Sequence, residues 1–258
     1  EAVQKAPGFK VVAPLLSGAF WLELPDQWDP KSPWADRRVR LAASHAIDRQ
    51  AVNKAETLGF SRLTGNFVPR IFQYALTMEA PAYDPERAKK LLAEAGYPNG
   101  FDGGDFYPFP PYNSMGEALQ GYFQAVGIRT RQRTMERAAY FSAWREKKLH
   151  GVILVVSATF GNAATKLEPY ATKNGIYAYG SLPDIDDLYV RQGRELDGKK
   201  REALVHQIQK RIQEQVVNIP IYDLAFIWGV GPRVEESGAG LIPGFAYSAP
   251  FEDLRLKK

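Results

Sequence analysis

Apolar positions recur at helical spacing through the middle of this chain and gather into extended runs near both ends. Residues 9–24 (FKVVAPLLSGAFWLEL) predict an extended segment, and the turn-rich PDQWDPKSPWAD comes after it. Asp36 then stands as an N-cap before Val39, Ala42, Ala43, Ala46 and Ile47, which share one helical face. Asp48 opens a second stripe through Val52 and Ala55 to Gly59. Residues 60–83 lack periodicity and predict a surface loop. The clearest local signal is YDPERAKKLLAEAGYPNGF. Asp84 accepts from free N–H groups, Pro85 takes the first helical position, Ala88, Leu91, Leu92 and Ala95 form the buried face, and Gly96 stops the helix. Further along the chain, the spacing predicts a helix over 114–126, a strand over 128–133, a helix over 136–149 and a buried strand over 152–156. Two more helices are expected near 186–196 and 199–217, and NIPIYDLAFIWGV is the last strong strand. The remainder is too rich in Gly and Pro for a long helix. Helices alternating with strands give an α/β class, a sheet with helices against its faces. The periodic middle reads as a lobe whose two extended ends lead into something else.

Composition narrows the function classes. The chain has 258 residues, 45% hydrophobic and 24% charged, enough for a proper core. No apolar run reaches the roughly 18 residues that span a bilayer, and no signal peptide is visible. The first residue is Glu1 rather than Met, so an N-terminal part is expected outside this sequence. The net charge of +4 is spread along the chain, whereas a nucleic-acid footprint would cluster it. Without cysteine there are no disulfides, thiolate metal sites or cysteine nucleophile. His45, His150 and His206 are not spaced to share a metal. No HExxH, GxSxG or GxxxxGK[ST] occurs. The acids of DIDD at 184–187 precede a helix and are read as favouring its N-terminus rather than binding a cation. Arg129, Arg131 and Arg133 alternate along a strand and are read as a solvated face.

The stretch GVILVVSATFGNAATKLEPY, from Gly151, raises a functional question. A buried β-branched run empties into Ser157, Thr159, Gly161, Asn162 and Thr165, which offer hydrogen bonds and almost no charge. Among the five tryptophans, Trp21 and Trp228 differ from the rest, because each lies in one of the two extended terminal segments.

These segments resemble a family. PWADRRVRLAASHAIDRQAV is similar to the signature helix of family 5 extracellular solute-binding proteins, the peptide, dipeptide and nickel-type receptors of ABC importers, and YDPERAKKLLAEAGYPNGF to its companion. AVGIRTRQRTMERAAYF and the stretch from PDIDDLYV to VVNIPIY resemble its later elements, so the likeness spans roughly residues 15–256. It implies a periplasmic-binding-protein-like second lobe with two hinge strands and a C-terminal tail returning to a missing first lobe. The implied division is a hinge strand and first-lobe remnant over 1–24, the second lobe over 25–218, and a returning hinge strand and tail over 219–258. The implied function is capture of a small polar or peptide-like solute in an inter-lobe cleft, in the periplasm or otherwise outside the cytoplasm at the membrane. Implied partners are the importer's membrane permease subunits and the first lobe, with no cofactor, metal or nucleic acid. On this resemblance the strand over 152–156 ends at the cleft, as ligand sites in open α/β sheets tend to. Thr159, Phe160, Gly161, Asn162, Thr165, Trp21 and Trp228 then become the candidate ligand contacts.

Peptide-binding relatives often carry an aspartate in this loop to meet the ligand's α-amino group. Residues 157–165 hold none, and Glu168 is the nearest acid, so a sugar, an opine-like conjugate or another polar metabolite stands beside a peptide. Two other classes compete with the receptor reading: an α/β enzyme with an unrecognised site, and a non-catalytic interaction domain. No convergent acid, base or nucleophile supports the enzyme.

Overall fold

The computed structural model describes residues 2–158, 161–245 and 250–257. A short helix α1 (Ala2–Lys5) and strand β1 (Lys10–Val12) lead into β2 (Leu15–Glu23). Then come α2 (Arg37–Ala46), α3 (Arg49–Thr57), β3 (Arg62–Leu63) and α4 (Pro85–Glu94). The next stretch alternates: β4 (Phe101–Tyr107), α5 (Asn113–Ala125), β5 (Ile128–Gln132), α6 (Arg137–Arg145), β6 (Val152–Ala158) and α7 (Ala163–Ala171). Helices α8 (Pro183–Arg194) and α9 (Gly198–Glu214) precede β7 (Asn218–Ala225) and β8 (Trp228–Val230). Strands β9 (Val234–Glu236) and β10 (Arg255–Leu256) close the chain.

Local chemistry sets the helix starts. Asp36, Asp48, Asp84, Glu136 and Asp197 each accept backbone N–H bonds at an N-cap. Gly96 lies past the end of α4 with φ of +95°, the left-handed stop its sequence predicts. Gly151 enters β6 at φ +87°, and a Cβ there would stand 2.3 Å from the Asp105 carbonyl oxygen, so only glycine fits between β4 and β6.

The main sheet has the order β3-β7-β2-β6-β4-β5. Strands β4, β5 and β6 run parallel, while β2 is antiparallel to both of its neighbours, β6 and β7. The two extended terminal segments do lie side by side, through the β2–β7 ladder and the β1–β8 pair. They lie within the sheet rather than at its rim. β2 sits mid-sheet and β7 is one strand from the rim, because β2 also pairs with β6. Nearly every residue of β2 and all of β7 are buried accordingly.

Connections β4–α5–β5 and β5–α6–β6 cross the sheet in opposite senses, so right-handed crossovers put α5 and α6 on opposite faces. Contacts agree with this. Phe20 packs edge-on to Tyr112 and Tyr222, whose hydroxyl donates to the Met115 sulfur of α5. Its neighbour Trp21 faces the other way, against Phe67 and Tyr170.

Two buried arginines of the α2–α3 segment act as ties. Arg40 donates to the carbonyls of Trp34, Ala35, Gln215 and Val216, and Arg49 to those of Ser44 and Pro220. They fasten these helices to the end of α9 and to β7, and burial pushes both guanidinium pKa values down to about 10.

Two readings change. The segment 101–107, unassigned by pattern, is β4. Residues 163–171, expected as loop, form α7. The acids of DIDD lie at the start of α8, as read, with Asp184 and Asp186 in its first turn; Asp184 also pairs with Arg211, Asp186 accepts from the Lys173 N–H and the Ser181 hydroxyl, and Asp187 pairs with Arg191. Arg131 on β5 reaches Asp102 and Asp105, and Arg133, just past the strand, reaches Asp105, ion pairs between neighbouring parallel strands.

Candidate functional site

Four strands, β4, β5, β6 and β7, point their carboxyl ends the same way, and β2 enters from that end. The segments leaving these strands converge there. After β4 come Phe109, Pro111 and Tyr112; after β5, Arg137 and Phe141 of α6; at the end of β6, Val156 and Ser157. Pro169, Tyr170 and Tyr177 close one side, and Leu16, Gly18 and Leu224 form the floor. The result is an open cleft of about 490 Å³, within the size range of small-molecule sites.

The cleft has two aromatic walls. Phe109 and Phe141 meet edge-on at 5.6 Å, and the Arg137 guanidinium lies 5.3 Å and 5.7 Å from their centroids. Tyr170 and Tyr177 stack at 5.3 Å with 12° between planes, and Tyr177 stacks again on buried Trp144 at 4.2 Å, which in turn lies 6.2 Å from Phe141. The Tyr170 hydroxyl donates to Ser157 Oγ at 2.7 Å.

Beneath this wall lies a polar cluster built on Lys166 and Glu23. Lys166 is wholly buried; its Nζ donates to the Ser157 carbonyl at 2.9 Å and sits 4.4 Å from the Trp21 ring and 4.9 Å from Tyr170. Desolvation pulls the Lys166 pKa down to about 7, with the Glu23 charge opposing. Glu23 accepts from the indole N–H of Trp21 at 3.3 Å and of Trp144 at 3.1 Å. Desolvation pushes its pKa up to about 8, against those two hydrogen bonds.

The candidates named from sequence are scattered. Thr159 and Phe160 lie outside the described residues. Gly161 is exposed at φ +113°. Asn162 is half-buried and already employed: its Oδ1 accepts from the Ala164 and Thr165 N–H groups as the N-cap of α7. Thr165 is exposed in the first turn, its hydroxyl donating to the Asn162 carbonyl at 2.7 Å. Trp21 requires a correction. Strand alternation turns its ring inward under α7, where it has no exposure and cannot meet a solute. Trp228 is half-buried in β8, edge-on to Phe226 at 5.8 Å. None of these five lines the cleft; Ser157 does. Sequence reasoning missed Arg137 and the five rings, Phe109, Tyr112, Phe141, Tyr170 and Tyr177. The one usable signal was ring density in FYPFPPY, residues 106–112.

Comparison with known proteins agrees with this architecture. The profile of bacterial extracellular solute-binding proteins, family 5 Middle, matches residues 1–178. Heme-binding protein A of Haemophilus influenzae is 29% identical over 217 residues, covering 80% of this chain and 40% of that protein. The dipeptide-binding protein of Escherichia coli is 28% identical over 198 residues, covering 72% and 37%. Among solved structures, the ABC transporter-associated periplasmic binding protein DppA from Helicobacter pylori, in complex with peptide STSA, superposes with a TM-score of 0.81 at 24% identity, over 100% of this chain and 50% of that one. The chain thus spans about two-fifths of the length of these curated relatives and about half of that structure. It belongs to the family 5 bacterial extracellular solute-binding proteins, and its fold is that of a periplasmic-binding-protein lobe. Among the described residues, no helix is long and apolar enough to cross a membrane.

Proposed function

We propose that this chain is the second-lobe half of a solute receptor serving an ABC importer, working in the periplasm or otherwise outside the cytoplasm at the membrane. Residues 1–24 would contribute one hinge strand and a remnant of the first lobe, 25–218 the second lobe, and 219–258 the returning strand and a tail to the first lobe. The observation that carries this reading is the position of the cleft. It opens at the carboxyl ends of four strands, and the chain enters β2 and leaves β7 at that same end. A first lobe joined through β1 and β8 would stand directly over it.

On this reading the solute, small and polar or peptide-like, binds without turnover between the two lobes. The relatives named for heme and for dipeptides show how widely solutes differ within such a family. The cleft residues hold one face of the solute, and Thr159, Phe160, Gly161, Asn162, Thr165 and Trp228 stay as proposed contacts beyond the cleft lining, to be engaged once the first lobe closes. Its partners are the importer's permease subunits and the first lobe; no cofactor, metal or nucleic acid enters the reading. Closure works because two lobes share the contacts and exclude water. Half a cleft leaves one face of the solute solvated and has no hinge equilibrium for it to bias. Calorimetry on the isolated chain and on the full-length receptor, with a solute found by screening, tests this. Tight binding is expected only in the full-length protein; equal affinity in the two would show that the site belongs wholly to this half.

A further inference from the structure

A second, much smaller pocket lies at the other end of β2, where the strand finishes at Glu23 and β7 begins at Asn218. These two residues are register partners in the β2–β7 ladder, so their side chains stand together on one face of the sheet. Trp28 and Tyr179 wall the pocket with Gln27 beside them, and its opening reaches solvent, with Glu23 and Trp28 only half-buried. It offers about 20 Å³, and one water needs roughly 10–15 Å³.

The polar groups around this space have capacity left. Trp21 donates to Glu23 Oε1 and Trp144 to Oε2, which leaves each oxygen a further lone pair. Asn218 is nine-tenths buried, and its side-chain amide makes no hydrogen bond among the described residues. The Gln27 amide nitrogen is already committed to the Val217 carbonyl at 2.8 Å. Electrostatics favours a neutral occupant. Lys147, past the end of α6, and Lys166 of α7 both act on Glu23, so a bound cation would add a third positive charge. The phenols of Tyr140, Tyr170 and Tyr179 complete its titratable surroundings.

We infer that this pocket is a site for one water, which bridges the Glu23 carboxyl to the Asn218 amide and is the route by which Glu23 exchanges its proton with solvent. Tyr170 lines both this pocket and the cleft, so Glu23 lies behind the cleft wall and is served from the side away from the solute.

Infrared difference spectra of the full-length protein test this, at a pH below the Glu23 value of about 8. The protonated carboxyl band is assigned as the one that Glu23→Gln removes. On transfer to D2O that band should shift about tenfold or more sooner than the slowest core amides exchange. Asn218→Leu removes the bridging amide and should slow the shift about tenfold or more, whereas Asn218→Ser, which keeps a hydroxyl, should stay near the parent. Ammonium chloride in place of sodium chloride should leave the midpoint of Glu23 titration unchanged. Exchange no faster than the core amides in the parent overturns the inference, and needs no variant to be seen. So does an Asn218→Leu variant that exchanges as fast as the parent, or the lack of any band that Glu23→Gln removes. A midpoint lowered by ammonium would make the pocket a cation site, and the inference fails.

Discussion

Lys166 and Arg137 are each held against two aromatic rings, at 4.4 and 4.9 Å from Trp21 and Tyr170 in one case and at 5.3 and 5.7 Å from Phe109 and Phe141 in the other. Their surroundings differ in one respect that decides their work. Lys166 is sealed, and its desolvated ammonium is easily neutralised, so it serves as a strut under the end of β6. Arg137 is exposed at the mouth of a cleft, where its charge faces water and anything that displaces water. The two regions share Ser157 and Tyr170: the Ser157 carbonyl accepts from Lys166, and its hydroxyl accepts from Tyr170, which walls the cleft. The same pairing of cation and rings is therefore scaffold where water is excluded and stays open to solvent where it is not.

The most damaging break falls in the Lys166–Glu23 cluster. Trp144→Ala removes a fully buried ring and strips Glu23 of an indole donor. It should cost about 3–5 kcal/mol in denaturant melts. A loss below about 1 kcal/mol would mean that the cluster is not the scaffold of the cleft.

Titration of the cluster comes next. Glu23 has a raised pKa, so its folded form holds a proton that the unfolded chain releases above about 4.5. Stability from this group is lost as pH rises from about 4.5 to about 8. The melting temperature of Glu23→Gln should accordingly gain on the parent across that window. Lys166 runs the other way: its pKa is lowered, so stability is lost as pH falls from 10.5 to about 7. Lys166→Met should gain on the parent as pH falls through that range. Parallel melting curves for parent and variants over these windows would disprove the desolvation of both groups.

A smaller effect tests the shared wall. Tyr170→Phe deletes only the hydroxyl that donates to Ser157, and should cost about 1 kcal/mol by chemical denaturation. The smallest change is expected at the open cation. Arg137→Gln should hold its melting temperature within about 2 °C of the parent. A larger drop would make Arg137 a second strut and dissolve the contrast with Lys166.

Much of the lobe was legible because its signals are local. Asp36, Asp48 and Asp84 cap helices within three residues of themselves, and Gly96 ends α4 from the next turn. The strand β4 was missed because FDGGDFY shows neither alternation nor an apolar run; its place between β5 and β6 comes from pairing partners far along the chain. The short helix α7 was missed because small polar residues and an internal Pro169 disguise it, although Asn162 caps it by ordinary chemistry. At the site, the strand itself was readable from its β-branched run and polar exit, which includes Ser157, while its ending at the cleft came only from the family resemblance. Arg137 looked like one more residue at a helix start.

By itself the sequence determined the α/β class, most helix limits and the family, because caps, stops and periodic stripes act over a few residues. Only the tertiary structure decided which rings are core and which are wall. Alternation along β2 turns Trp21 toward α7 and Phe20 toward Tyr112, and a slip of one residue would exchange them. The cleft itself draws on β2, the segment after β4, α6, the end of β6, α7 and β7. Those pieces meet only once the sheet order is set, and that order depends on long-range pairing that no local window of sequence contains.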